Sequence, residues 1–423
     1  MVRRSKSSFF TIGLLILAGE AAFLLPFVLP RIFRPTVLEA FELDNVQLGQ
    51  CFSVYGFVAL VSYFFGGPLA DRFAPRKLMA IALVTTSLGG FVAATYPSFI
   101  VMQIVYGYWG FTTIFLFWAA MLKATRQWGG DTNQGRAFGF LDGGRGLVSA
   151  TIGSLGVAIF SATMGSIDGG IDIEQRRAAF RSVILFNSIL VALVGILVWL
   201  FLRTEEVDSG SAEPAHEPVT PTVVWHVLQL PTIWLLMAIV LCGYVGFKVT
   251  DDLTLYAKEV MFFNEVDSAR LGTLLLYLRP VVGVVVGLMA DRTRPATWIV
   301  TGFALMLVGA IVVGAGVIDR GSYVVFYSTM FATCIGVFAI RSLYFASMQE
   351  GKIPLHLTGT SVGLISVVGF TPDIFMGPVM GHLLDSSPGE PGHQYLFWLL
   401  AGFSAIGLIA SAVFRCISGT ATD

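Results

Sequence analysis

Seven ionisable side chains stand inside long apolar stretches of this sequence: Glu20, Asp142, Arg145, Lys248, Arg279, Arg341 and Asp373. A charge at bilayer depth costs about 2.5–3.5 kcal/mol on insertion scales, so each points to binding, gating, proton transfer or a buried ion pair. Arg279 is the strongest of them. It lies in Tyr277-Leu278-Arg279-Pro280, where the proline removes a backbone hydrogen bond beside a guanidinium able to grip a carboxylate or phosphate with two parallel bonds. Its structural alternative is an ion pair with Glu20 or Asp373. Arg145 has Asp142 three residues earlier on the same helical face, a spacing that suits local neutralisation. Arg341, close to one end of its run, suits snorkelling or an inner gate as well as a substrate contact. Lys248 has Asp252 at i+4 and reads as half of a boundary pair. Glu20 and Asp373 are the candidate proton or counter-charge carriers, with pairing to an arginine deciding the charge each keeps. Asp373 follows Gly369-Phe370-Thr371-Pro372 and precedes Gly377, Pro378 and Gly381, a stretch suited to a bending helix.

The elements that must carry these groups follow from composition. Of 423 residues, 55% are hydrophobic and 13% charged, about half the charged share of ordinary soluble domains. Apolar runs near the roughly 20 residues that a bilayer-crossing helix needs recur along the chain. They fall at about 9–30, 47–70, 77–96, 98–122, 135–163, 180–202, 229–250, 268–290, 296–318, 322–346, 358–384 and 395–416. The fold class is therefore all-α membrane protein, with twelve spans in two six-helix bundles, 1–202 and 229–423, joined by a polar linker at 203–228. The basic start (Arg3, Arg4, Lys6) runs into the first span without a small-residue cleavage site, and reads as an anchor rather than a leader. With that end inside, Lys and Arg are in excess in the inner loops, which predicts both termini in the cytoplasm.

Several classes are excluded or disfavoured. A net charge of -1 gives no basic field for nucleic acid. Cys51, Cys242, Cys334 and Cys416 are scattered, without CxxC pairs or neighbouring histidines, so neither a disulfide framework nor a metal site is indicated. No nucleophile-base constellation or nucleotide-binding glycine loop stands in a polar segment, so neither an enzyme nor a cofactor is expected.

An internal repeat is the clearest organisational signal. Gly67-Pro68-Leu69-Ala70-Asp71-Arg72 recurs 220 residues later as Gly287-Leu288-Met289-Ala290-Asp291-Arg292. Gly135-Arg136-Ala137-Phe138-Gly139 likewise has a counterpart in Gly359-Thr360-Ser361-Val362-Gly363. Repeats of the same hand along the chain imply two halves related by an axis along the membrane normal. In such loops the glycines permit close helix packing, the aspartates can face a helix N-terminus and the arginines can pair with carboxylates or carbonyls.

These motifs resemble those of the major facilitator superfamily, over essentially the whole chain. Its loop signature, G-x-L-A-D-R-x-G-R-R/K, stands here as Gly67 to Lys77, with Ala74 in place of the second glycine and Pro75 after it. The resemblance implies a conformational latch formed by Gly67, Asp71 and Arg72 against span 11 and by Gly287, Asp291 and Arg292 against Arg136 of span 5. The family's arginine-glycine motif in span 4 has no arginine here, where the chain reads Gln103 to Gly110. In this family spans 1, 4, 7 and 10 line a central cavity, which makes Tyr106, Trp109, Tyr244 and Tyr344 candidate pocket residues beside Tyr277. The arginines Arg145, Arg279 and Arg341 resemble the pattern of organic-anion and organophosphate antiporters, with Asp373 standing where the oxalate/formate type has a lysine. The implied activity is transport of a small solute, expected to be an organic anion, across a bacterial inner membrane by a monomer. A coupling proton or counter-anion would serve as its further partner. A proton-coupled symporter of a neutral solute such as a sugar, and a non-transporting ligand sensor, are the alternatives.

Overall fold

The computed structural model describes residues 7–129, 134–164, 173–202, 225, 227–344, 346–351, 353 and 358–419. Among these residues twelve helices are long and apolar enough to cross a membrane, and none forms a strand. Spans 1 to 6 are Phe9–Ile32, Asn45–Tyr63, Pro75–Ala93, Phe99–Thr125, Gly139–Met164 and Ile173–Phe201. Spans 7 to 12 are Pro231–Glu259, Glu265–Ala290, Pro295–Gly314, Tyr323–Leu343, Leu364–Ser386 and Glu390–Ser418. The expected all-α class and the count of twelve both hold. Helices meet their own backbone hydrogen-bonding needs, which is the condition for crossing a hydrocarbon layer.

The sequence repeat is also a repeat of helix boundaries. The helices Asn45–Arg72 and Glu265–Arg292 are each 28 residues long, and each ends in one copy of the repeated loop. Each is followed, at the same spacing, by a helix that opens on proline, Pro75–Ala93 and Pro295–Gly314. Proline at the first helical position loses no bond, because that N–H has no intrahelical partner. Both long helices also carry an N-cap. Asp44 accepts from the Gln47 N–H at 2.6 Å while the Gln47 side chain accepts from the Asp44 N–H at 3.1 Å. The Asn264 side chain accepts from the Asp267 N–H at 2.8 Å.

Two compact units emerge, Met1–Asp208 with Phe262–Pro280, and Ser209–Met261 with Val281–Asp423. In the first, span 1 packs on spans 5 and 6, and its Leu15, Ala18, Ala21 and Ala22 are all fully buried or nearly so. Span 4 departs from α-helical geometry, forming a π-helical stretch over Phe111–Trp118. Hydroxyls hold this widened turn: Thr113 donates to the Trp109 carbonyl at 2.6 Å and meets the Tyr55 hydroxyl at 2.7 Å, and Thr86 donates to Thr112 at 2.8 Å. Span 1 carries a shorter π-helical turn, Leu24–Val28.

In the second unit span 7 is broken into Pro231–Val249 and Leu253–Glu259 by a tight turn. There Thr250, Asp251 and Asp252 each donate to the carbonyl three residues back. Span 11 is interrupted between Gly369 and Pro372, at the stretch whose composition suits a bend. The segment 203–224, most of the expected linker, lies outside the described residues.

Spans 9 and 10 cross with almost no side-chain padding. A Cβ on Gly302 would meet the Gly336 carbonyl oxygen at 2.9 Å, and one on Gly336 would meet the Gly302 carbonyl oxygen at 2.5 Å. Backbone cannot swing aside as a side chain can, so overpacking here should cost about 1–3 kcal/mol. Gly336→Val is expected to lower the melting temperature of the detergent-solubilised protein by several degrees. Gly402→Ala, at a position with nothing within 4 Å, is expected to leave it unchanged or raise it.

Candidate functional site

In the first unit the membrane-depth charges resolve into two ion pairs, both made from neighbouring positions on one face of span 5. Glu20 on span 1, 3% exposed, accepts from Arg145 Nε at 3.1 Å. The Arg145 guanidinium also lies over the rings of Phe23 and Trp118, at 5.2 and 5.9 Å from their centroids, so its charge is neutralised by one group and its faces are covered by two. Asp142, one turn earlier, accepts from Arg279 Nη2 at 2.6 Å. The helical spacing that suggested a bond within span 5 thus accompanies two bonds out of it, one to span 1 and one to the opening part of span 8. The carboxylate at Arg279 is Asp142, where the sequence offered Glu20 or Asp373. Tyr277, two residues before Arg279, is within 3.3 Å of the Ser154 hydroxyl on span 5.

The second unit gathers its charges around the break in span 7. Lys248, 2% exposed, has Asp251 at i+3 and Asp373 of span 11 each at 3.5 Å, whereas Asp252, the partner that spacing had suggested, bonds to His393. Tyr244 donates to the Asp373 carboxylate, 3.0 Å from either oxygen. Arg341 on span 10 differs from the other cations. Its guanidinium lies 3.9 Å over the Phe247 ring and 5.9 Å over that of Tyr244. Its Nη1 is buried with no hydrogen-bond partner, and no described carboxylate forms an ion pair with it. Cation–π contact stabilises such a charge without neutralising it.

The aromatic candidates divide between packing and the charged clusters. Tyr106 and Trp109 are buried, edge to face with one another at 5.2 Å, and Trp109 Nε1 donates to the Thr86 carbonyl at 3.0 Å. They fill the space between spans 2, 3 and 4. Tyr244 joins the Lys248–Asp373 cluster, and Tyr344 caps the end of the helix Tyr323–Leu343, buried. Of the latch, Arg72 and Arg292 are exposed, and a Cβ on Gly287 would meet nothing within 4 Å. The side chains of Asp71, Asp291 and Arg136, and the surroundings of Gly67, lie outside what is described. Beside the first copy of the loop, Lys123 Nζ donates to the Ala70 carbonyl at 2.8 Å, tying span 4 to span 2.

Two groups escape a reading by apolar runs. Glu350 receives Arg294 Nε at 2.7 Å and the Ala296 N–H at 3.0 Å, so it caps span 9 and neutralises the loop arginine before it. His393, at the start of span 12 and fully buried, stands between two carboxylates: Asp252 Oδ2 is 2.8 Å from Nδ1 and Glu259 Oε2 is 3.0 Å from Nε2. The signal for it was present, since Asp252 and Glu259 are seven residues apart and so share a helical face.

This arrangement of twelve spans, repeated loops and ion pairs at membrane depth is that of a multi-pass transporter. The sequence pattern that describes the Major Facilitator Superfamily matches residues 9–372, and the chain belongs to that family. Among its relatives is the inner membrane protein YihN of Escherichia coli (strain K12), 27% identical over 98% of this chain and 96% of that protein. Another is the inner membrane protein YqcE of the same organism, 24% identical over 97% of this chain and 94% of that one. The fold matches that of a bacterial homologue of the human lysosomal transporter Spinster, with a TM-score of 0.69 at 15% identity over 99% of this chain and 96% of that one. It also matches the nucleoside transporter NupG, with a TM-score of 0.68 at 11% identity over 95% of this chain and 99% of that one.

The Glu20–Arg145 pair gives a direct test of buried charge. Removing one partner strands the other, which typically costs about 3–5 kcal/mol, whereas removing both is much milder. Glu20→Gln is expected to lower the melting temperature of the purified protein strongly, and Glu20→Gln/Arg145→Gln to recover a large part of that loss. Equal losses in the single and double variants would mean that the pair holds no buried charge.

Proposed function

We propose that this protein is a secondary active transporter of the inner membrane, with both termini cytoplasmic, that moves a small organic anion by alternating access, and that Arg341 is the residue that meets the anion. The reading rests on charge balance at membrane depth. Arg145, Arg279 and Lys248 each have a described carboxylate at ion-pair distance, whereas Arg341 has aromatic faces and a buried N–H without an acceptor. An anionic substrate supplies both the missing charge and the missing acceptor. Phe247 and Tyr244 beside it suit a substrate with an apolar or planar body next to its anionic group. Arg279, the strongest candidate from sequence, becomes on this reading a structural partner of Asp142. Asp373 becomes the counter-charge of Lys248.

A ligand that binds only the folded protein raises its apparent stability. Small carboxylates, phosphates or sulfonates are expected to raise the melting temperature of the purified protein, and Arg341→Gln to abolish that rise. Counterflow of the same anion into proteoliposomes is expected to fall at least tenfold in the variant, a loss of about 1.4 kcal/mol or more. Stabilisation by neutral sugars that survives in Arg341→Gln would overturn the anion reading in favour of a neutral solute.

A further inference from the structure

His393 has a carboxylate on each ring nitrogen, and that arrangement constrains its protons. A neutral imidazole has one N–H donor and one bare acceptor nitrogen, while an ionised carboxylate only accepts. With Asp252 Oδ2 at 2.8 Å from Nδ1 and Glu259 Oε2 at 3.0 Å from Nε2, a neutral ring would turn one lone pair onto another across a short contact. His393 and Asp252 are fully buried, so no water is at hand to relieve that repulsion. A second ring proton converts both contacts into charge-assisted hydrogen bonds.

We propose that His393, Asp252 and Glu259 form a proton-binding site in which His393 is an imidazolium, and that its proton fastens span 12 to the short helix Leu253–Glu259 at the end of span 7. The balance is simple: one proton enters on the imidazole, and its release leaves a neutral ring facing two carboxylates, one of which it then repels. Glu259, whose side chain is 35% exposed, gives that proton a way in and out that Asp252 cannot. The groups whose charge acts on the ring are these two carboxylates. The phenol of Tyr256 stands edge-on at 5.2 Å with Phe326 of span 10 stacked behind it, and Glu390 lies one turn earlier on the histidine's own helix.

The position gives the proton leverage. Asp251 and Asp252 are consecutive residues in the tight turn that breaks span 7. Asp251 reaches Lys248, which shares Asp373 with Tyr244, while Asp252 reaches His393. Release of the proton through Glu259 leaves Nδ1–H on Asp252, so the turn stays tied to spans 11 and 12 while the Glu259 end of the short helix comes free of span 12. The short helix after the break in span 7 is thereby held at its far end by a proton.

The test replaces one acceptor by a donor of the same shape. In Glu259→Gln the side-chain amide can donate to Nε2, so a neutral ring is satisfied at both nitrogens without the extra proton. Nitrogen-15 spectra of histidine-labelled protein in detergent, recorded at mildly alkaline pH, are expected to show one doubly protonated ring in the wild type. In Glu259→Gln that ring is expected to become a neutral tautomer. The thermal stability of the wild type is expected to fall as pH rises through the loss of that proton, and the fall to be absent in Glu259→Gln. Should His393→Gln fold, it assigns the signal by removing it; otherwise the change in Glu259→Gln assigns it. A neutral His393 in the wild type, a doubly protonated ring that persists in Glu259→Gln, or the same pH dependence in both proteins would overturn the proposal.

Discussion

A bare charge is hardly tolerated in a hydrocarbon slab, and most of this protein's internal architecture answers to that constraint. The pairs Glu20–Arg145, Asp142–Arg279 and Lys248–Asp373 each join different spans. Neutralising a charge and fixing a helix-helix register are therefore one act. Hydrophobic attraction cannot do this job, because lipid tails are as apolar as leucine and the spans gain little by trading lipid for one another. Directional bonds and close-packed glycines supply the specificity that apolar surface cannot. Arg341 stands outside this scheme, its charge cushioned by aromatic faces rather than cancelled.

The two copies of the repeat share a frame and diverge in chemistry. Helix starts, helix lengths, N-caps and opening prolines recur with the same spacing. Outside the repeated Asp-Arg loops the ionisable residues do not: at the 220-residue offset Lys248, Asp251 and Asp252 correspond to Val28, Arg31 and Ile32, and span 4 holds no arginine where span 10 has Arg341. The repeat accounts for the frame, while the charges buried at membrane depth differ between the copies.

Hydropathy alone makes the twelve spans legible, since each must be long and apolar whatever surrounds it. Proline and glycine place the bend at Pro372 for a similarly local reason. Charge partners are another matter. The three-residue spacing of Asp142 and Arg145 satisfies the rule for a pair on one helix, yet each bonds to a different span, because the choice depends on which helices lie alongside. His393 escapes a reading of the sequence because a histidine at the edge of an apolar run looks ordinary until the end of span 7 is folded against it. The π-helical stretch of span 4 leaves no mark in composition either, since its cause is a set of hydroxyl bonds to spans 2 and 3.

That stretch changes how span 4 presents itself. A π turn accommodates a residue in excess of the α-helical count, and one residue corresponds to about 100° of rotation. Side chains on the two sides of Phe111–Trp118 therefore belong to different helical phases, and no single stripe runs the length of the span. Met121, Ala124 and Thr125, all buried, reach their neighbours only because the phase has been shifted before them. Span 4 can thus lose a residue in one place: deleting one from Phe111–Trp118 lets that stretch close into α-helix with the helix Ala119–Gly129 still in phase, whereas the same deletion beyond it would turn those side chains off their seats.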